Sequence, residues 1–195
     1  MHAKQNSRMK TKGIMGIGTL IIFIGVILVA AVAAMVLIST SGSLQQRALA
    51  TGGQTEEGIS TGINIFDVTG RDASDGAFDT LELLARLNAG SSNIKLNNSV
   101  ITVNTKNTFQ RLIYAGTNTM GTSTKFNVTY LQNGSNNQVD YLTEGDVIKI
   151  EFMTTRNITE SERLRIKFIP RIGTTTEIEF TTPDTMTTSR VGLYP

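Results

Sequence analysis

Few residues in this chain could carry chemistry, and their positions limit what that chemistry can be. The single histidine is His2, and there is no cysteine. Histidine-dependent triads, thiolate nucleophiles and the usual Cys/His zinc sites therefore have no side chains to build on. Carboxylates remain: Asp67, Asp72, Asp75 and Asp79 form the densest acidic group. Their spacing lacks the ordered oxygen series of a calcium loop, and a solvated turn accounts for them; no metal, no cofactor and no enzymatic activity is expected. Two other patterns are chemically specific. Asn97, Asn127, Asn133 and Asn157 each open an Asn-x-Ser/Thr sequon, a glycan acceptor in an exported protein. Asn133, in the polar loop 132–138, is the strongest surface candidate, whereas Asn127 and Asn157 fall in or beside expected strands. The second pattern is the junction Lys12-Gly13-Ile14, where a basic stretch gives way at once to an apolar one. Gly13 has no side chain and can enter a tight protease pocket in an extended form.

The element that must position this junction follows it directly. Residues 14–38 run 25 positions without a charge. As a helix rising about 1.5 Å per residue they are roughly 38 Å long, enough to span a hydrocarbon core of about 30 Å with some tilt. Lys4, Arg8, Lys10 and Lys12 precede the run with no acid among them, which places the N-terminus on the cytoplasmic side and the rest of the chain outside. Without those four, 14 basic residues face 16 acidic ones; a slightly acidic body has no electrostatic reason to bind nucleic acid. Three readings of the segment stay open on these grounds. One is a secretory signal cut near Ala31-Val32-Ala33, although the apolar run continues past that triplet and exceeds the usual signal core. Another is a permanent membrane anchor. The third is a leader cut after Gly13, leaving the apolar helix intact on the mature protein.

A helix apolar on every side must be buried on every side, by lipid or by copies of itself. Gly16, Gly18, Thr19, Phe23, Gly25, Ala30 and Ala33 are the candidate contact residues, and the glycines and alanines among them let helix backbones approach closely. The same small residues are also common in any membrane helix.

The segment 13–21, GIMGIGTLI, followed by Leu28-Val29-Ala30-Ala31-Val32-Ala33-Ala34, Leu37-Ile38-Ser39-Thr40-Ser41-Gly42 and Leu44-Gln45-Gln46, resembles the archaeal flagellins (archaellins), which are similar to type IV pilins in leader processing and N-terminal helix. The match is strong over about residues 10–50. Beyond that it is looser, at Asp67-Val68-Thr69-Gly70, residues 87–92 and the ending Leu193-Tyr194-Pro195. Type IV pilins usually carry Glu at the fifth mature position; Gly18 stands there in this chain, which favours the archaellin pattern. The resemblance implies cleavage between Gly13 and Ile14 by a prepilin-peptidase-like membrane protease. It also implies export by a secretion ATPase and its membrane platform, and self-assembly, alone or with other archaellins, into an extracellular motility filament. An adhesive type IV-like pilin and a membrane-anchored extracellular β-domain are the alternatives.

From Gly62 onward the pattern changes to short β-prone runs separated by Gly, Asn, Asp and Thr. Expected strands cover residues 63–69, 79–87, 94–103, 109–114, 124–131, 147–154, 163–169, 175–181 and 190–193. Residues 148–152 and 164–168 alternate apolar with charged side chains, the mark of a strand with one buried face. Leu81–Leu87 is also compatible with a helix, and residues 143–146 read as a turn. The expected fold is α+β: a leader over 1–13, a long apolar helix and linker over 14–60, ending between residues 50 and 60 with Gly52-Gly53 as a candidate stop, and an antiparallel Ig-like β-sandwich over 61–195.

Overall fold

The computed structural model describes residues 3–71 and 76–194, with side chains from residue 15 onward. It divides into two units, residues 1–53 and 54–195. Helix α1, Ala3–Ser60, is longer than the apolar run at both ends. It passes through Gly52-Gly53 without interruption. Two glycines cost about 1 kcal/mol each in a helix, a penalty the flanking hydrogen-bonded turns absorb. The Thr61 N–H still donates to the Glu57 carbonyl (3.1 Å) before the chain turns into the first strand.

Among the described residues, the regular structure of the C-terminal unit is β apart from that last helical stretch and one 3-10 turn. Its strands are β1 Ile63–Arg71, β2 Ala77–Leu87, β3 Ile94–Lys95, β4 Val100–Asn104, β5 Phe109–Thr117, β6 Lys125–Gln132, β7 Tyr141–Leu142, β8 Val147–Thr159, β9 Arg163–Ile169, β10 Thr176–Thr181 and β11 Arg190–Tyr194. Nine of them form one sheet in the order β10-β9-β4-β5-β6-β8-β2-β1-β11, and β3 pairs with β7 separately. The sheet curls until β10 returns against β1, where the Thr176 hydroxyl donates to the Ile63 carbonyl at 2.7 Å. This closure wraps the inner face around a single core that includes Phe78, Phe126, Phe152 and Phe168, all at most 1% exposed. Strand period does the sorting: across β2 and β8, Leu81 faces Phe152, Leu83 faces Ile150 and Ala85 faces Ile148, all buried, while Glu82 and Glu151 lie opposite each other between them. Leu81–Leu87 is thus strand, because β-pairing on both flanks outweighs its helical propensity.

Three departures from the expected strands have physical causes. The run 94–103 is broken: Leu96–Asn98 form a 3-10 turn with Leu96 fully buried, and the Ser99 hydroxyl returns to the Lys95 carbonyl (3.1 Å). Asn97-Asn98 there favours a turn over a strand interior. β8 runs five residues past its expected end, because its far portion continues to pair with β2 as far as Ala77↔Thr159. Every pairing is antiparallel except that of β5 with β6. The connection between those two doubles back over β8, with Gly121 so close that an added Cβ would lie 2.3 Å from the Glu151 carbonyl. A side chain of β5 nonetheless reaches β8 directly. Gln110, 7% exposed, donates through Nε2 to the Met153 carbonyl (2.7 Å) and the Ser123 carbonyl (2.6 Å), and its Oε1 accepts from the Thr155 N–H (3.0 Å). Gln110→Leu is expected to destabilise the domain by about 1–3 kcal/mol, since it leaves buried backbone groups without partners; urea unfolding of the β-unit measures it.

Candidate assembly and modification sites

The helix of residues 15–53 exposes its apolar side chains all round: Ile17, Phe23, Val29, Leu37 and their neighbours. It is long and apolar enough to cross a membrane. Over residues 15–38 no charged side chain interrupts this surface. The Thr19 hydroxyl turns back onto the Gly16 carbonyl (2.9 Å) and that of Thr40 onto the carbonyl of Val36, so neither offers an unpaired group to an apolar neighbour. Seen along the axis at about 100° per residue, Gly16, Phe23 and Ala30 recur every seventh residue on one stripe, with Thr19 and Ala33 beside it. Gly18 and Gly25 form a second stripe, roughly opposite. A Cβ placed on Gly16, Gly18 or Gly25 meets nothing within 4 Å. Among the described residues no contact calls for glycine at these points, yet each costs about 1 kcal/mol against alanine. Lys12, Gly13 and Ile14 lie within α1, and their side chains are outside the described residues.

The passage from helix to sheet is clamped by residues that sequence reasoning left unassigned. The Ser91 hydroxyl sits between the Ser60 carbonyl (3.1 Å) and the Gly62 N–H (3.0 Å), and the Thr174 N–H donates to the Thr61 carbonyl at 2.8 Å. A Cβ on Gly62 would lie 2.9 Å from both the Asn88 amide nitrogen and the Thr174 hydroxyl. Gly62→Val is therefore expected to open this clamp and to expose the chain near residues 58–62 to proteases, read as a new cleavage product in limited proteolysis.

The four sequons separate by exposure. Asn97, Asn133 and Asn157 are exposed. Asn127 is only 6% exposed on β6, its Oδ1 buried without a partner. The structure thus corrects the inclusion of Asn127: no oligosaccharide fits on an amide buried in the folded sheet. Asn133 opens a loop held by a buried carboxylate. Asp146 Oδ1 accepts from the Gly134 N–H (2.7 Å) and the Asn137 amide (3.0 Å), and Oδ2 from the Thr143 N–H (2.9 Å) and hydroxyl (2.7 Å). Burial pushes the Asp146 carboxyl upward, but these four donors outweigh it and hold it below its ordinary value. A depressed carboxylate contributes stability that is fully present above the unfolded value of about 4 and is lost as pH falls through the lower folded value. The 133–146 loop is accordingly expected to loosen below about pH 4, an effect absent in Asp146→Asn, as followed by hydrogen exchange at Gly134 and Thr143. Nearby, the Tyr114 hydroxyl donates to Asp140 (2.6 Å); burial first and this carboxylate second keep it protonated, and burial likewise pushes Tyr130 up to about 12.

Two charged networks cover parts of the outer sheet face. Glu82, nearly buried, takes Arg71 (3.2 Å), Lys149 (3.3 Å) and Arg190 (2.7 Å), and the first two also reach Glu151. On β9 and β10, Arg163, Arg165 and Lys167 face Glu177 and Glu179. Asp67 and Asp79 instead accept from the hydroxyls of Thr69 (3.3 Å) and Thr80 (2.9 Å). Asp72 and Asp75 lie outside the described residues.

An apolar helix with unneeded glycines, joined to a closed β-domain, is the arrangement of a polymerising subunit, and the relatives agree. The family model for archaeal-type flagellin matches residues 13–180. Flagellin B1 of Methanococcus voltae is 36% identical, over 93% of this chain and 95% of its own. The chain belongs to the archaeal-type flagellin family. Flagellin B4 of Pyrococcus abyssi is 35% identical over 91% of this flagellin and 96% of its own length. Two solved structures share the fold. The crystal structure of archaeal flagellin FlaB1 from Methanocaldococcus jannaschii has a TM-score of 0.64 at 22% identity, covering 69% of this chain and 97% of that one. The archaeal flagellum of Methanospirillum hungatei has a TM-score of 0.68 at 14% identity, covering 92% and 99%.

Proposed function

We propose that this flagellin is the structural subunit of an extracellular motility filament, polymerising through its N-terminal helix and presenting the β-domain to the outside. The observation that carries the reading is the uncharged helix whose glycines serve no contact within the chain. In the filament, copies of the helix replace lipid around one another, and small residues on two opposite sides, Gly16 and Ala30 on one and Gly18 and Gly25 on the other, fit a helix that touches neighbours on more than one side. The precursor sits in the membrane with residues 1–13 on the cytoplasmic side. A prepilin-peptidase-like protease cuts between Gly13 and Ile14, and a secretion ATPase with its membrane platform drives export. Gly13, the weakest helix former of the junction, eases the unwinding that extended binding to a protease requires. The subunit itself performs no catalytic step. Glycans on Asn97, Asn133 and Asn157 shield the polar outer surface.

Electron microscopy of filaments sheared from producing cells, with mass spectrometry of their protein, tests this. Filaments built of a chain starting at Ile14 are expected; a cell surface without such filaments, the chain remaining in the membrane, would overturn it. The same mass spectrum reads the glycans: a subunit heavier than unmodified residues 14–195, with the extra mass on the peptide carrying Asn133, is the expected result.

A further inference from the structure

On the outer face of the sheet, charge is matched on one side and unmatched on the other. β9, β4 and β5 lie side by side, with Asn104 between Arg165 and Phe109, Thr102 between Lys167 and Arg111, and Val100 between Ile169 and Ile113. The β9 cations each meet a carboxylate of β10. Lys106 in the β4–β5 turn, Arg111 on β5 and Lys125 at the start of β6 are exposed. Among the described residues none of the three has a carboxylate within salt-bridge distance. Two large apolar side chains stand among them, Phe109 at 68% and Ile113 at 48% exposure, and Lys125 lies next to Ile113 in the parallel pairing. Phe109, Arg111 and Ile113 all point outward from β5, while Gln110 and Leu112 point inward.

We propose that this β5 face is a contact surface for the β-domain of a second copy of the same chain, an inference that rests on the filament reading. The complement is present on the molecule. Beyond the leader the chain has more carboxylates than cations, and those of exposed Glu144 and half-buried Asp67 and Asp79 face no cation among the described residues. A polymer places these carboxylates and the unmatched cations on adjoining copies at high local concentration. Phe109 and Ile113 supply the apolar centre such a contact needs, and Arg111 the charge best suited to a desolvated ion pair. Contact of this kind selects orientation between neighbouring domains, whereas the helices supply the assembly energy.

The test uses whole filaments of the full-length protein. Amine acylation of Lys106 and Lys125 is compared between filaments and the same subunits after dissociation. A zero-length carbodiimide then couples amines to touching carboxylates, and the cross-linked dimers are mapped by mass spectrometry. The proposal expects Lys125 to lose reactivity on assembly and to appear joined to an Asp or Glu of another copy. Filaments in which Lys106 and Lys125 react as they do in dissociated subunits, with no intermolecular coupling, would overturn the contact while leaving the filament reading intact. Coupling to a chain of different sequence would also overturn it. If no filaments exist, the reading beneath it falls and the contact with it.

Discussion

Cells producing the Ala33→Asp variant are expected to carry no filaments, although the protein is made and its β-domain folds. Ala33 sits beside the Gly16–Phe23–Ala30 stripe, on a helix whose surroundings in either lipid or polymer are apolar. A carboxylate costs about 2.5–3.5 kcal/mol at the centre of a membrane helix and less toward its end, where Ala33 lies. In a bundle of copies the cost recurs at every subunit, with like charges facing one another. The β-core, from Ile63 to Leu193, contains no residue of the helix, so the substitution has no route to it. Electron microscopy of the cells reads the filaments, and limited proteolysis of the full-length variant, with a resistant fragment covering residues 54–195, reads the fold of the β-domain. Normal filaments on Ala33→Asp cells would remove the helix from its assigned role.

Gly13→Val is expected to be as severe by a different route. A branched side chain at the proposed cut site would crowd a protease pocket that takes glycine, and valine holds χ1 in one well. The precursor should accumulate in the membrane with Lys4, Arg8, Lys10 and Lys12 still attached. Four cations at the end of a helix that must move from lipid into an apolar bundle forbid that transfer. Immunoblotting of membranes shows the longer chain, and N-terminal sequencing of wild-type filaments gives the cut. A mature chain beginning at Met1, or after Ala33, contradicts the assignment of Ile14.

How much of this was legible in the sequence depends on whether a local pattern decided the structure. Residues 163–169 were assigned to the residue, because Leu164, Ile166 and Phe168 alternate with charges and pair on both sides. The segment 94–103 was not: Asn97-Asn98 carries a turn preference, but the apolar residues on either side of it read as one continuous strand. β7 is two residues long, too short for any periodicity. The parallel pairing of β5 with β6, and the use of Gln110 as a substitute for a missing stretch of ladder, are long-range events with no local signature. The apolar helix was more legible than the sheet: an uninterrupted uncharged stretch after a basic one is a composition signal, and the glycines in it are visible without coordinates. The burial of Asn127 was the exception: a sequon names the amide but not the face of the strand on which it lies.

The division of labour between the two units is tested most directly by sedimentation of residues 54–195 alone. The account predicts a folded monomer at every concentration at which the intact mature chain is found in filaments. Ordered polymers of that truncated domain would contradict it.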